Sequence, residues 1–379
     1  MLATISCGEK NSNISYTVYD SDSIQHIDLN QCLKNSEYYV SDILESVKIV
    51  CLETNENSLL ASIAKIIVTE DRIFIRDLYM GGGVAIFDNT GKFIKRLVNG
   101  NGPGEVQIIQ DLNYDKFTNE LVIIDNHQLK KYDKDGNFKE NILLKYPCGY
   151  LISCNQNGYL FSNVYGCESD ISTLTNYCVL NVDRNYEVKQ LLLPFSESAK
   201  IVPASAKAIE YNDNTLISVS FCDTIYKYKN DSLRPYMTID YSSVKLDIEQ
   251  FTSMQDYFEK VLISNDRSKA DFKGQFYENS THQIMALAFA SYVYSIFIDK
   301  KTKNIISGTS CVYENYEAFN ITAPAGVYND WFYEVCNASE FKHNVITSNR
   351  YISQEDLAKL ENLKEDDNPY LVFYKLKSF

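Results

Sequence analysis

A strand–turn–strand pattern recurs along this chain at a nearly fixed spacing. The stretch Ile73-Phe-Ile-Arg-Asp77, followed by Val84-Ala-Ile-Phe-Asp-Asn-Thr-Gly-Lys-Phe93, returns as Leu121-Val-Ile-Ile-Asp125 and Leu129-Lys-Lys-Tyr-Asp-Lys-Asp-Gly-Asn-Phe138. Asp88 and Asp133 lie 45 residues apart, and Asp77 and Asp125 lie 48 apart. A period of roughly 40–50 residues, with strand–turn–strand chemistry inside each unit, describes one four-stranded blade of a propeller. Each Asp-x-x-Gly turn has its own logic. The Asp side chain bonds backbone a few residues on, and Gly takes the positive φ that L side chains resist.

Composition supports an all-β reading. The 379 residues are 45% hydrophobic, enough to bury a substantial core, and include 29 Tyr and 19 Phe against a single Trp. Tyr and Phe favour strands, and Tyr suits a half-buried surface because its hydroxyl can reach water. With only 7 Pro and 15 Gly, long disordered linkers are disfavoured. The net charge of −14 repels nucleic acid, and no basic run offsets it, so nucleic acid is excluded as a partner.

The pattern predicts the first blade as strands Ile63–Thr69, Ile73–Arg76, Val84–Phe87 and Phe93–Val98, labelled A (innermost) to D. The second runs Ile108–Tyr114, Glu120–Ile124, Leu129–Tyr132 and Phe138–Leu144. A third and fourth follow from Tyr150 to Tyr241, with Asp183-Arg-Asn-Tyr186 replacing the Asp-x-x-Gly turn. The period then breaks. From Asp247 to Ser264, Ile248, Phe251, Met254, Phe258 and Val261 recur at helical spacing, which predicts a small helical insertion within about 245–280 whose Phe251/Met254/Phe258 face packs inward. Strand patterns resume at Ile284, Gln354–Lys364 reads as a helix, and Tyr370–Leu376 as a strand. Val47–Leu52 precedes the first blade without a partner of its own; pairing it with the C-terminal strand closes six blades and leaves no exposed edge. The expected architecture is therefore an all-β six-bladed β-propeller over residues 42–379, closed by an N-terminal strand on the C-terminal one, after a leader and tether at 1–41.

Several of these segments occur together in a known setting. Glu45-Ser-Val-Lys-Ile-Val-Cys-Leu-Glu-Thr54, the Phe87-Asp-x-x-Gly-Lys-Phe93 turn, Gly100-Asn-Gly-Pro-Gly-Glu105 and Asn368-Pro-Tyr-Leu-Val-Phe-Tyr-Lys-Leu376 stand in this order. Together they resemble the six-bladed β-propeller lipoproteins of Bacteroidetes, relatives of NHL-repeat proteins. The resemblance covers about Asp42 to Lys377 and implies a secreted or envelope-anchored propeller. It supplies no catalytic residues.

The N-terminus fits an anchored protein in part. Met1-Leu-Ala-Thr-Ile-Ser-Cys7-Gly resembles the tail of a lipoprotein signal, although the charged region and most of the apolar region are missing. Cys7 is the expected lipidation site; if the N-terminus is instead a genuine start, the expected location is cytoplasmic. No apolar run reaches the roughly 18 residues a spanning helix needs. Of ten cysteines, none stand in C-x-x-C spacing, and most read as buried thiols.

For chemistry, the loops from strand D to the next A, and from B to C, emerge on one face. That topology predicts a polar rim of Asp77, Tyr79, Glu105, Asp125, His127, Tyr165, Glu168, Asp170 and Asp223 around a central channel. Carboxylates with Tyr and His suit sugar hydroxyls, or calcium through oxygen ligands. The equivalent placement of Asp77 and Asp125 equally suits capping of backbone N–H groups. Gly100-Asn-Gly-Pro-Gly104 lacks the Gly-Lys-Ser/Thr of a phosphate loop and reads as a tight crossing between blades. The four His are scattered, and no G-x-S-x-G elbow is present. The expected function is non-enzymatic binding of a glycan, peptide or protein partner on the loop face. The alternative is a calcium-assisted hydrolase, lyase or lactonase.

Overall fold

The computed structural model describes residues 24–30, 33, 37–78, 83–102, 104–146, 149–163, 174–202, 204–211, 214–263, 268–289, 292–312, 321–341 and 351–379. Five four-stranded sheets and one five-stranded sheet form its blades. In strand order A to D, blade I is Ile63–Val68, Arg72–Asp77, Val84–Asp88 and Phe93–Leu97. Blade II is Ile109–Asp115, Glu120–Asp125, Gln128–Asp133 and Phe138–Leu143. Blade III is Tyr150–Asn155, Gly158–Ser162, Tyr177–Asp183 and Val188–Pro194, and blade IV is Ala206–Tyr211, Asn214–Val219, Thr224–Lys229 and Ser232–Asp240. Blade V is Phe276–Glu278, His282–Phe289, Tyr292–Asp299 and Ile305–Gly308. Blade VI is Gly326–Tyr328, Trp331–Cys336, Tyr370–Leu376 and Leu44–Cys51. Its last pair joins the two ends of the domain antiparallel, with Val372 opposite Ile49 and Tyr374 opposite Val47. The closure expected from sequence is thus present.

The chain divides into two compact units. The first takes in the described parts of Met1–Lys34, Leu143–Phe276 and Ala286–Tyr294, and the second those of Asn35–Ile142, Tyr277–Met285 and Ser295–Phe379. In the second unit, strand B of blade I shows why a propeller strand is apolar at consecutive positions. Ile73 and Ile75 pack with Val50, Leu371 and Phe373, while Phe74 packs with Leu112, Leu121 and Ile123 on the opposite face. A strand covered on both faces gains burial from every side chain, at about 25 cal/mol per Å² of apolar surface. In the first unit, Leu160, Val179 and Leu192 pack with Ile217, Val219 and Leu233.

The repeated turn works as its sequence suggests. Asp88 Oδ1 accepts the N–H groups of Thr90 (2.9 Å) and Lys92 (3.0 Å), with Gly91 at φ +90°. Asp133 Oδ1 accepts those of Asp135 (2.9 Å) and Asn137 (2.8 Å), with Gly136 at φ +77°. Blade III keeps the same turn without glycine. Asp183 Oδ1 accepts the N–H groups of Asn185 and Glu187, and Tyr186 holds φ +64°. The Tyr186 ring lies nearly parallel to Tyr159 at 6.0 Å, a contact that offsets the left-handed backbone.

Two expectations need correction. Within the stretch read as leader and tether, Gln25–Asp28 forms a fifth, parallel strand on the outer edge of blade IV, with His26 opposite Thr238. Glu37–Tyr39 pairs in parallel with Ser310–Val312. The insertion is helical, as a turn at Met254–Tyr257 followed by a wider one at Phe258–Ile263, but its inward face differs. Phe251 and Tyr257 are buried, whereas Met254 and Phe258 are exposed at 39% and 42%. Phe251 is inward as the spacing predicts, but it lies in extended backbone ahead of the helical turn and does not share its phase, so Tyr257 rather than Met254 and Phe258 completes the buried face. The six described cysteines, Cys51, Cys154, Cys178, Cys222, Cys311 and Cys336, carry free thiols. Burial pushes the Cys178 thiol up to about 12 and Cys51 up to about 11.

Candidate functional site

Strand B of blade I ends on Asp77, which is 2% exposed. Its Oδ1 accepts the N–H of Ser62 at 3.0 Å, and its Oδ2 accepts that of Ala61 at 3.4 Å. The guanidinium of Arg96, on strand D, lies 3.3 Å from Oδ2 and also donates to the carbonyl of Leu59 at 2.6 Å. One carboxylate therefore ties the end of strand B to the entry into strand A and to strand D. A buried carboxylate needs this combination of hydrogen bonds and a counter-charge, since unpaired it would cost several kcal/mol.

Blade II repeats the device with a different cation. Asp125, also 2% exposed, accepts the N–H groups of Ile108 (2.6 Å) and Gln107 (2.9 Å). Lys130 Nζ stands 2.6 Å from Asp125 Oδ2 and donates to the Glu105 carbonyl at 2.6 Å. The Glu105 side chain turns back to accept the N–H of Gly102 at 2.7 Å. A Cβ on Gly100 would sit 2.0 Å from Glu105 Oε2, so the crossing between the blades closes tightly around this carboxylate. His127 is exposed, at φ +64° after Asn126 at φ +47°, the geometry of a two-residue hairpin turn with both residues left-handed.

Blade VI carries the same kind of carboxylate without a cation. Glu334 Oε1 accepts the N–H of Thr322, just ahead of strand A, at 2.8 Å. Tyr374 supplies the other hydrogen bond, and among the described residues no Lys or Arg pairs with Glu334. Burial pushes Glu334 up to about 8, against the smaller opposing effects of the Thr322 N–H and the Tyr374 hydroxyl. Burial therefore favours its neutral, protonated form.

Of the residues predicted from sequence, Asp77, Glu105, Asp125 and His127 fall in the second unit. The first three have their carboxylates engaged within the scaffold. Asp223, in the first unit, is half exposed and pairs with Lys245 at 2.8 Å. Tyr79, Tyr165, Glu168, Asp170 and Cys7 lie outside the described residues. Among the described residues, no group of three or more His, Cys, Asp or Glu is placed to hold a metal ion, and no helix is long and apolar enough to cross a membrane. The oxygens of Asp77 and Asp125, proposed above as calcium ligands, already face N–H, guanidinium and ammonium groups.

Beside these caps stand exposed apolar side chains that the strand pattern of the sequence does not mark. Leu78, directly after Asp77, is 51% exposed; Val98, at the end of strand D, is 51% exposed; Ile108, whose N–H is held by Asp125, is 62% exposed. Ile108 reads from sequence as the first residue of a buried strand A. The strand begins instead at Ile109, and Ile108 belongs to the exposed turn. The signal was the Asp-Leu pair that closes strand B, Asp77-Leu78, with no polar residue between cap and loop.

Blades built in this order define an all-β six-bladed β-propeller. The chain belongs to the family described as Domain of unknown function (DUF4934), whose model matches residues 24–375. No curated protein matches the sequence. Among solved structures, it is similar to a Bacteroides fragilis protein described as exported, with 16% identity over 93% of this chain and 100% of that one, and a TM-score of 0.71. A Bacteroides caccae protein of unknown function is more distant, with 8% identity over 71% of this chain and 93% of that one, and a TM-score of 0.39. At these identities the likeness to the first shows the fold alone, and the second carries no argument.

Proposed function

We propose that this chain is an exported, envelope-associated binding propeller, anchored by lipid on Cys7, that takes an extended peptide or protein segment on the loop turns of blades I and II. The observation that carries this reading is the outward presentation of Leu78, Val98 and Ile108 on turns fixed by Asp77–Arg96 and Asp125–Lys130. Apolar side chains on pre-ordered turns bind with little loss of conformational entropy, and they suit a peptide or protein better than a sugar. Asn126, whose N–H donates to the Ile108 carbonyl at 3.2 Å, and the adjacent His127 would supply polar contacts beside Ile108. The exported character of the Bacteroides fragilis protein and the lipoprotein-like Met1–Gly8 both favour an envelope location.

Selection of peptides from a random display library on the wild-type protein, followed by titration against Leu78→Asp and Ile108→Asp, tests this function. Exposed substitutions should leave thermal stability unchanged while weakening the selected peptides at least about tenfold, or ~1.4 kcal/mol. Equal affinity for wild type and both variants would remove the proposal. So would a glycan array that yields binders where the peptide library yields none.

A further inference from the structure

Glu334, on strand B of blade VI, differs from the capping carboxylates of blades I and II in two respects. Asp77 has the Arg96 guanidinium at 3.3 Å, and Asp125 has the Lys130 ammonium at 2.6 Å. Among the described residues no charged group faces Glu334. Only the Thr322 N–H, at 2.8 Å, and the Tyr374 hydroxyl act on its carboxyl against burial. Asp77 and Asp125 are each 2% exposed, whereas Glu334 is half-buried and reaches solvent. Of the three carboxylate caps, the one without a cation is also the one that is open.

Aromatic side chains surround this position. Glu334 lies two residues beyond Phe332 and so shares its face of the strand. Phe332 belongs to the apolar cluster that holds Tyr374 and, at its margin, the half-buried Tyr277. Burial first and the Glu334 charge second push both hydroxyls up, Tyr277 to about 12, so both stand within reach of that charge. The Tyr277 hydroxyl makes no hydrogen bond among the described residues.

We propose that Glu334, with Tyr277 and Tyr374 beside it, is the recognition group for the protonated primary amine of a ligand. The ammonium takes the place that Arg96 and Lys130 fill at the other caps. One of its N–H groups donates to the Glu334 carboxylate and a second to the Tyr277 hydroxyl, while the neighbouring rings keep water away and strengthen the ion pair. A metal ion fits poorly, because among the described residues no second and third carboxylate, His or Cys joins Glu334. A ligand hydroxyl would leave the carboxylate without a counter-charge. Since burial favours the protonated carboxyl, pairing with an ammonium moves that proton from Glu334 to solvent. The site goes beyond the peptide-binding turns and does not depend on them.

Calorimetric titration of the full chain at pH 7 and constant ionic strength, with n-butylamine, N-acetyl-lysine amide and n-butanol as probes, decides the matter. The wild type should bind at least one amine and not the alcohol. Its heats should differ between phosphate and Tris buffers, because a proton is released. Glu334→Gln keeps the shape but cannot ionise, so it should bind at least about tenfold more weakly and release no proton. Tyr277→Phe should bind about threefold more weakly and still release the proton. Binding of butylamine alone would identify a small free amine; binding of both amines would identify an ammonium that a lysine side chain can also present. No binding of either amine, equal binding by wild type and Glu334→Gln, or heats independent of buffer would overturn the proposal. Melting temperatures verify that both variants remain folded.

Discussion

Glu334→Gln isolates the energetic consequence of burying a carboxyl without a cation. In the folded chain burial holds this group at about 8, against an ordinary value of 4.5. A raised pKa means that the native state holds its proton over a pH range in which the unfolded state has lost it. The stability contributed by Glu334 is therefore fully present below about pH 4.5 and is lost as pH rises through about 8. Between pH 5 and 9 that loss amounts to ~2.5–4 kcal/mol, at about 1.36 kcal/mol per pKa unit. Glutamine keeps an oxygen for the Thr322 N–H and an amide group for the Tyr374 hydroxyl, but never ionises. Urea unfolding of wild type and variant at pH 5, 7 and 9 should give curves that nearly coincide at pH 5. They should separate progressively above it, with the variant the more stable at pH 9. Hydrogen exchange at the Thr322 amide should show the same divergence locally. Parallel pH profiles for the two proteins would refute the reasoning, because the carboxyl would then be ionised or solvated in both states.

The other capping carboxylates give predictions of opposite sign. Asp125→Ala leaves two N–H groups and the Lys130 ammonium without their partner, and should cost ~3–5 kcal/mol in urea unfolding. Asp77→Ala should behave alike, and adding Arg96→Met should return part of the loss, which a double-mutant cycle would show as a coupling of ~1–3 kcal/mol. Gly100→Ala places a methyl 2.0 Å from Glu105 Oε2, the far end of a side chain that can turn away, and should lower stability by no more than ~1 kcal/mol, the loss of the hydrogen bond from the Gly102 N–H. Burial pushes Asp299 up, but hydrogen bonds from Ser378 and from the N–H groups of Thr302, Lys301 and Phe379 outweigh it and hold the carboxyl well below the ordinary range. Its contribution is present above the ordinary carboxylate pKa and is lost as pH falls, so removal of Ser378 and Phe379 should raise the midpoint of acid unfolding.

Much of the architecture is legible in the sequence because a blade uses strictly local chemistry. The turns at Asp88 and Asp133 announce themselves, and the apolar runs around Ile73 and Leu121 require cover on both faces. Closure was readable because Val47–Leu52 and Tyr370–Leu376 are each strand-like and lack a neighbour. The parallel strand Gln25–Asp28 was not readable. An edge strand of four residues with one buried side chain has no alternation to display, and its partner lies more than two hundred residues away. The site was harder still. An Asp at the end of a strand looks the same in sequence whether it faces a ligand or its own backbone; Ser62, Arg96 and Gln107 make the difference at Asp77 and Asp125.

Comparison among blades separates what the scaffold needs from what it leaves free. Every blade must satisfy the backbone N–H groups where the chain swings into strand A, because buried donors without partners are expensive. Blade I does so with Asp77 and Arg96, blade II with Asp125 and Lys130, and blade VI with Glu334 and Tyr374. Blade IV reaches the same end with a hydroxyl, Ser220 Oγ accepting from the Ser205 N–H. Charge, counter-charge and even residue type change, while the hydrogen bond is kept. A position that tolerates four chemistries for one structural task is scaffold, however polar it looks. By the same reasoning, the side chains of Leu78 and Ile108, whose backbones the caps hold in place while the side chains take no part in them, are where the proposed partner would be selected without disturbing the fold.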